Sequence, residues 1–286
     1  MEEVPVVTTL ASPPAASTRR HRRAPSDRTS ARRPALTITT FGGFVVERDG
    51  VALGAVDFER QRARALLAAL LCAGEPVHRE RLLEWFWPAL SPERGVAALH
   101  TTLHALRRAL QPSLSTGSES AFVVRHGESY GLHLGEIDSC DLAQVLAAAR
   151  DAAVLSVGDP VRHMEFAEAR CRHSFLPEWP YEEWTLALRA EIEDASRALT
   201  ERIAAVHLAG GRTGPAVIRY RRLLELEPER ESLHRAIMRA YLCDGEAGLA
   251  LRQYEACRKA LAALGSRPGR ETRDLHLEVL RRSEAP

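Results

Sequence analysis

Apolar residues recur at threes and fours between Pro92 and Leu110: Val96, Leu99, Leu103, Leu106 and Leu110. That spacing places them on one stripe of a helix. Both ends are marked. Ser91 is placed to cap the first free N–H groups, Pro92 suits the first helical position, and Pro112 stops the run near Gln111. At about 100° per residue, the opposite side carries Arg94, Ala97, Thr101, His104, Ala105 and Arg108, with Arg107 and His100 on one flank. Glu93 is the helix's only acid, at the N-terminal end where the macrodipole favours it. A face so short of acids, bearing Arg, Thr and His among small residues, is suited to a groove lined with phosphates and base edges.

The flanking pattern places this helix in a larger unit. Residues 36–53 alternate and carry β-branched side chains, and Asp49-Gly50 is a hairpin turn, so two or three short strands are predicted. Gly42-Gly43 reads as a bulge or bend; no GK[ST] follows to make a phosphate loop. Residues 60–73 form a helix with Leu66, Leu67, Leu70 and Leu71 inward, ended by Gly74. Arg60, Arg62 and Arg64 crowd its first turn, where the dipole disfavours cations; a DNA phosphate, or Glu59 and Asp57, would offset that. Residues 78–87 make a second helix, ended by Pro88, with Leu82, Leu83, Phe86 and Trp87 as core candidates. Residues 121–134 give strand, turn and strand around His126-Gly127-Glu128. Strands, helix, helix, long helix, hairpin is the order of a winged helix-turn-helix with an N-terminal sheet. The short turn from Pro88 to Ser91 lets the long helix lie in a major groove. Arg125 and His126, beside the wing's turn, suit a minor-groove or backbone contact.

From Asp138 on, the pattern is helical throughout: 140–150, 161–173, 183–209, 213–226, 229–243, 246–264 and 270–282. A repeat is visible in it. Gly211, Gly214, Ala216 and Tyr220 are matched 34 residues later by Gly245, Gly248, Ala250 and Tyr254. That is the tetratricopeptide period, with glycine at the inter-helix turn and a small alanine where helices touch. The expected fold is mainly α with small β. It comprises a disordered Arg/Pro-rich tail over 1–34, a winged-helix domain over 35–134 and an all-α repeat domain over 138–286. Such stacks mostly make protein-binding grooves, although a spacer or dimer support has the same pattern.

Charge sharpens this only locally. Residues 1–34 hold seven arginines and three acids, residues 35–134 ten bases and ten acids, and residues 135–286 22 bases and 25 acids. Bulk charge therefore does not mark a nucleic-acid binder; the arrangement on the long helix does. Arg19, Arg20, Arg22 and Arg23 could touch phosphates non-specifically, or simply belong to a solvated tail. Five scattered cysteines with no CxxC pair argue for a reducing compartment and against a disulfide frame or zinc site. The longest apolar run, Ala65 to Ala73, is too short to span a bilayer, and Glu2-Glu3 with no apolar core argues against export, so a cytoplasmic protein is expected. No paired carboxylates, Ser/His/Asp set, metal cluster or P-loop stands at a recognisable spacing. Cys171 and His173 fall on different sides of a predicted helix, so they and His163 are not expected to share a metal. No enzyme, cofactor or metal is predicted.

The two halves together resemble a small Streptomyces antibiotic regulatory protein, an OmpR-type winged helix joined to a bacterial transcriptional activator domain. The resemblance covers about residues 36–282. Arg64 to Leu71 is similar to the family's first helix, Glu84 to Pro88 to its Trp-Pro ending, and Ala98 to Leu110 to its recognition helix. Leu176 to Trp179, Glu227 to Glu231 with His234, Met238 and Tyr241, and Tyr254 to Thr272 are similar to successive motifs of the second domain. Three departures stand out. Ala105 occupies a position where the family often has Arg, His78 replaces a Ser or Thr helix cap, and Ser129 replaces a wing glycine. The resemblance implies an activator bound to direct repeats of double-stranded DNA near the −35 region, as side-by-side protomers or a dimer on DNA. It further implies recruitment of RNA polymerase holoenzyme and control of a secondary-metabolite cluster. On that reading Thr101, His104 and Arg108 face bases, Arg94, Arg107 and Arg125 hold phosphates, and Arg64 and His126 add contacts. Without a receiver module in these residues, phosphorylation control of the response-regulator kind is not expected. The balanced first domain and Ala105 also fit a protein-interaction scaffold whose winged helix no longer grips DNA.

Overall fold

In a computed structural model, residues 33–59, 61–115, 117–150 and 159–284 are described. The predicted tail over 1–34 lies almost wholly outside them. The first half opens with β1 (Leu36–Thr39), β2 (Val45–Arg48) and β3 (Val51–Ala52). Leu36 and Ile38 point into the core and the alternate threonines do not, as a half-buried strand requires. Asp49 and Gly50 both take positive φ, 51° and 77°, and close β2 on β3. That is the left-handed pair a two-residue hairpin needs. Helix α1 (Gln61–Ala73) buries Ala68 and Ala69 as well as the four predicted leucines. It is enclosed on nearly every side.

The short β4 (Val77–His78) leads into α2 (Arg79–Phe86), and α3 (Pro92–Leu110) follows. His78 does cap α2: its Nδ1 accepts from Glu80 N at 3.3 Å, so the imidazole serves in place of the expected Ser or Thr hydroxyl. Ser91 does not behave as expected. Its side chain makes no capping bond, and the α3 entry rests on Pro92 and on Gly95 N donating to the Ser91 carbonyl at 2.8 Å. Strands β5 (Val123–His126) and β6 (Ser129–Leu132) form the wing, in a sheet ordered β4-β6-β5. Gly127 alone takes positive φ in the turn, at 62°, so Ser129 sits in extended backbone and needs no glycine. Gly131 does need its missing side chain: a Cβ there would lie 3.1 Å from Pro76 Cα.

The second half is helical: α4 (Asp141–Arg150), α5 (Pro160–Arg170), α6 (Glu183–Ala209), α7 (Thr213–Leu226), α8 (Glu231–Cys243), α9 (Ala247–Ala263) and α10 (Arg270–Glu284). From α6 onward each helix packs on the next. The sequence repeat is a structural one. Gly211 and Gly245 turn with φ of 72° and 76°, and the following N–H reaches back in the same way, Arg212 to the His207 carbonyl and Glu246 to the Tyr241 carbonyl, both at 2.8 Å. Ala216 and Ala250 are both fully buried, as close helix approach demands.

The halves are stitched into one compact unit from Arg33 onward. Strand β7 (Ser139–Cys140) pairs in parallel with β1, so the sheet order is β3-β2-β1-β7 and the entry to the helical half belongs to the first sheet. Beside it the buried carboxylate of Asp141 accepts from Thr40 N at 2.8 Å, Thr40 Oγ1 at 2.8 Å and Phe41 N at 3.2 Å. Ser174 and Leu176 continue the stitch, exchanging backbone bonds with Gly42 and Thr40 at 2.9 Å each.

Replacing Asp141 by Ala leaves three buried donors without an acceptor. Urea denaturation is expected to show a loss of about 3 kcal/mol. Asp138 carries a smaller, pH-dependent share. The Leu36 N–H first, and Arg33 after it, hold its carboxyl below the ordinary value. A depressed folded pKa gives stability that is complete above the unfolded pKa and lost as pH falls through the folded one. The stability gap between wild type and Asp138→Asn should therefore be constant near neutrality and close in acid, as urea titrations across pH will check.

Candidate nucleic-acid interface

Helix α3 is buried over a wider arc than its leucine stripe. Leu99, Leu103, Leu106 and Leu110 are joined by Gly95, Thr102, Ala105 and Ala109, all buried. Ala105 was expected on the outer side and is instead 2% exposed. The elements packed on the helix widen the arc: Ala105 is part of the main apolar core, and at Gly95 α2 comes so close that a Cβ would sit 3.3 Å from Leu83 Cδ2. Position 105 is thus a core position in this chain, and its alanine takes nothing from the outer face. Arg48, from β2, donates to the Ala109 carbonyl and so satisfies one of the last free carbonyls of α3.

What stays exposed is a narrower stripe: Arg94, Ala97, Thr101, His104 and Arg108, with His100 beside it. The spacing of three, four, three and four keeps these residues in line, and from Arg94 to Arg108 they span about 21 Å along the axis. The Thr101 hydroxyl donates back to the Ala97 carbonyl at 2.8 Å, which leaves its methyl and lone pairs outward. Arg107 lies at the edge of the stripe, half-buried, with a buried Nε that has no hydrogen-bond partner among the described residues. Arg107 and Arg108 both sit in the last turn, where cations complement the helix dipole.

The wing is held beside this stripe. Arg125 and His126 are exposed at the end of β5. Arg125 Nε donates to the Gly127 carbonyl at 2.7 Å, and its guanidinium lies 5.8 Å from the Tyr130 ring centroid. Tyr130 is buried, and its hydroxyl meets His100 Nε2 of α3 at 3.2 Å. Glu128, at the wing turn, pairs with Arg79 of α2 at 2.9 Å. The wing is therefore tied to both helices of the helix-turn-helix, through Tyr130, His100 and Arg79. Sequence reading placed His100 only on a flank and missed the other two, whose partners are far away in the chain.

Arg64 is placed elsewhere. Its guanidinium donates to the Phe44 carbonyl and to Glu178 Oε1, the latter at 3.1 Å, and stacks on Phe44 and Trp179. The anion that offsets it at the α1 N-terminus is thus neither a phosphate nor Glu59 or Asp57, but a carboxylate of the second half. Arg62 lies over the Trp87 ring, and Arg60 lies outside the described residues. His163 Nδ1 meets the Asp159 carbonyl at 3.0 Å, and Cys171 is a half-buried thiol pushed up by burial.

Fold and exposed stripe together define a winged-helix module continuous with a helical-repeat module. Residues 140–280 match the family described as "Bacterial transcriptional activator domain". These matches support a transcriptional regulator, and the chain resembles the Streptomyces antibiotic regulatory protein family. It is similar to the transcriptional regulatory protein MoaR1 of Mycobacterium tuberculosis (strain ATCC 25618 / H37Rv), at 28% identity over 234 residues, which cover 77% of this chain and 72% of the relative. The MoaR1 of Mycobacterium bovis (strain BCG / Pasteur 1173P2) is 27% identical over the same share of each chain. Among solved structures, Mycobacterium tuberculosis EmbR in complex with a low affinity phosphopeptide shares the fold, with a TM-score of 0.66 at 24% identity, over 88% of this chain and 67% of that one. Among the described residues no helix is long and apolar enough to cross a membrane.

A double-mutant cycle checks the role of Arg64. Arg64→Ala and Glu178→Gln should couple by about 1 kcal/mol in urea denaturation, since the pair is partly shielded and shares the Phe44 backbone.

Proposed function

We propose that the exposed stripe of α3 enters the major groove of double-stranded DNA and that the chain activates transcription there. One observation carries this reading: Arg94, Thr101, His104 and Arg108 stand in line on a helix face that remains open to solvent, with the wing's Arg125 and His126 on the same module. In such a groove Thr101, His104 and Arg108 reach base edges, while Arg94, Arg107, Arg125 and His126 hold the backbone. Arg64 is left out of this set because an intramolecular carboxylate engages it. The sites are direct repeats near a promoter, filled by side-by-side protomers. The partner is RNA polymerase holoenzyme, the place of action the cytoplasmic nucleoid, and the target a secondary-metabolite gene cluster. The resemblance to that family supports these finer points.

The balanced charge of residues 35–134 favours one rival, a scaffold that binds proteins through its helical half without gripping DNA. Salt dependence separates the two. In mobility-shift titrations on a promoter fragment recovered by chromatin immunoprecipitation, affinity should fall steeply with salt. Arg94→Ala should make the log–log slope shallower by about 0.9, and Arg64→Ala should leave it unchanged. Arg108→Ala should weaken specific binding by about 1–3 kcal/mol if it reads a guanine. Salt-independent or absent binding by the folded protein would leave the scaffold.

A further inference from the structure

A cavity of about 1100 Å³ opens between the first half and helices α4, α5 and α6. Leu71 comes from α1, Leu142 and Leu146 from α4, Phe166 from α5 and Leu188 from α6. The volume is slightly above the roughly 300–1,000 Å³ typical of small-molecule sites. Phe166, 50% exposed, and Leu134, 42% exposed, are large apolar side chains left in water at this cavity. Exposed apolar groups gathered at a concave site are a signature of ligand binding.

The charged groups around the cavity select among ligands. Glu75, Asp138 and Glu191 line it, against one guanidinium, Arg150, and the imidazole of His163. Asp138 is engaged by Arg33 and the Leu36 N–H, and Glu191 by Arg150 at 2.7 Å. Glu75 is exposed, and no ion pair among the described residues includes it. The neighbouring thiols do not add charge, since burial pushes Cys72 up to about 12 and raises Cys140 as well. An anion would meet an excess of carboxylate here, whereas an apolar body bearing one amine would find greasy walls and an unpaired acid.

We propose that this cavity binds a small, largely apolar organic cation, its ring system against Leu146, Phe166 and Leu188 and its charge toward Glu75. The site is independent of the DNA face and goes beyond the activator reading. Because its walls come from both halves, an occupant would bridge them and add to the stability of the joint.

The test uses the full chain without DNA, so its outcome does not depend on operator binding. Three dyes serve as probes: Nile blue, which is cationic; Nile red, a neutral relative with the same ring system; and 1-anilinonaphthalene-8-sulfonate, which is anionic. Fluorescence titration should show saturable binding of Nile blue at one per chain, tighter than Nile red, with the anionic dye about tenfold weaker or worse. Ala143 and Ala147 are exposed positions one turn apart on α4 that line the cavity. Ala147→Trp should obstruct it and weaken Nile blue about tenfold with an unchanged circular-dichroism spectrum, and Ala143→Phe serves if the first variant fails to fold. Glu75→Gln should narrow the preference for Nile blue over Nile red about fivefold. Wild-type dye affinity in both obstructed variants, or equal affinity for the anionic dye, would overturn the proposal.

Discussion

The structure depends on the enclosure of α1. This helix has α3 on one side and α6 on another, and seven of its side chains are buried. Each buried leucine there contributes about 1.5–3 kcal/mol, so neither half can give up its share without exposing the helix. One apolar cluster consequently runs from Leu36 in the first strand to Ile203 in α6. The winged helix thus shares its core with the helical half, with α1 between α3 and α6.

That sharing explains why the joint is so heavily bonded. The segment Thr40 to Phe44 leaves β1 and turns through Gly42 and Gly43, with φ of 81° and 153°. Its backbone N–H groups have no sheet partner, and the second half provides acceptors: Asp141 for Thr40 and Phe41, Ser174 for Gly42, Glu178 for Phe44. Aromatic rings fill the space between, Phe41 against Phe175, Phe44 against Trp179, and Phe86 against Trp184. Donors left unpaired in such a setting would cost more than the bonds themselves gain, which makes this a rigid seam rather than a linker.

Rigidity matters for the proposed activity. A groove-reading helix is useful only if its presented face is fixed, and α3 is fixed from beneath by its leucines and laterally by Leu83 over Gly95. Tyr130 and His100 fix the wing to the same helix. The outer stripe is what remains after these constraints are met, and the helical half does not cover it.

Much of this was legible in the residues. Leu99, Leu103, Leu106 and Leu110 gave α3 its inward side, Asp49-Gly50 its hairpin neighbour, and the 34-residue repeat of Gly, Ala and Tyr the stacked helices, because periodicity and turn chemistry act over a few residues. The outward positions of Arg94, Thr101, His104 and Arg108 followed from the same period. What periodicity could not decide was the width of the buried arc, which takes in Ala105 as part of the shared core and Gly95 where Leu83 of α2 packs close. Nor could it decide the fate of Arg64, whose carboxylate partner is 114 residues away. Local sequence sets which side of a helix is apolar; only the tertiary structure decides which polar groups find each other, because those pairings are made across distances in the chain that no local pattern records.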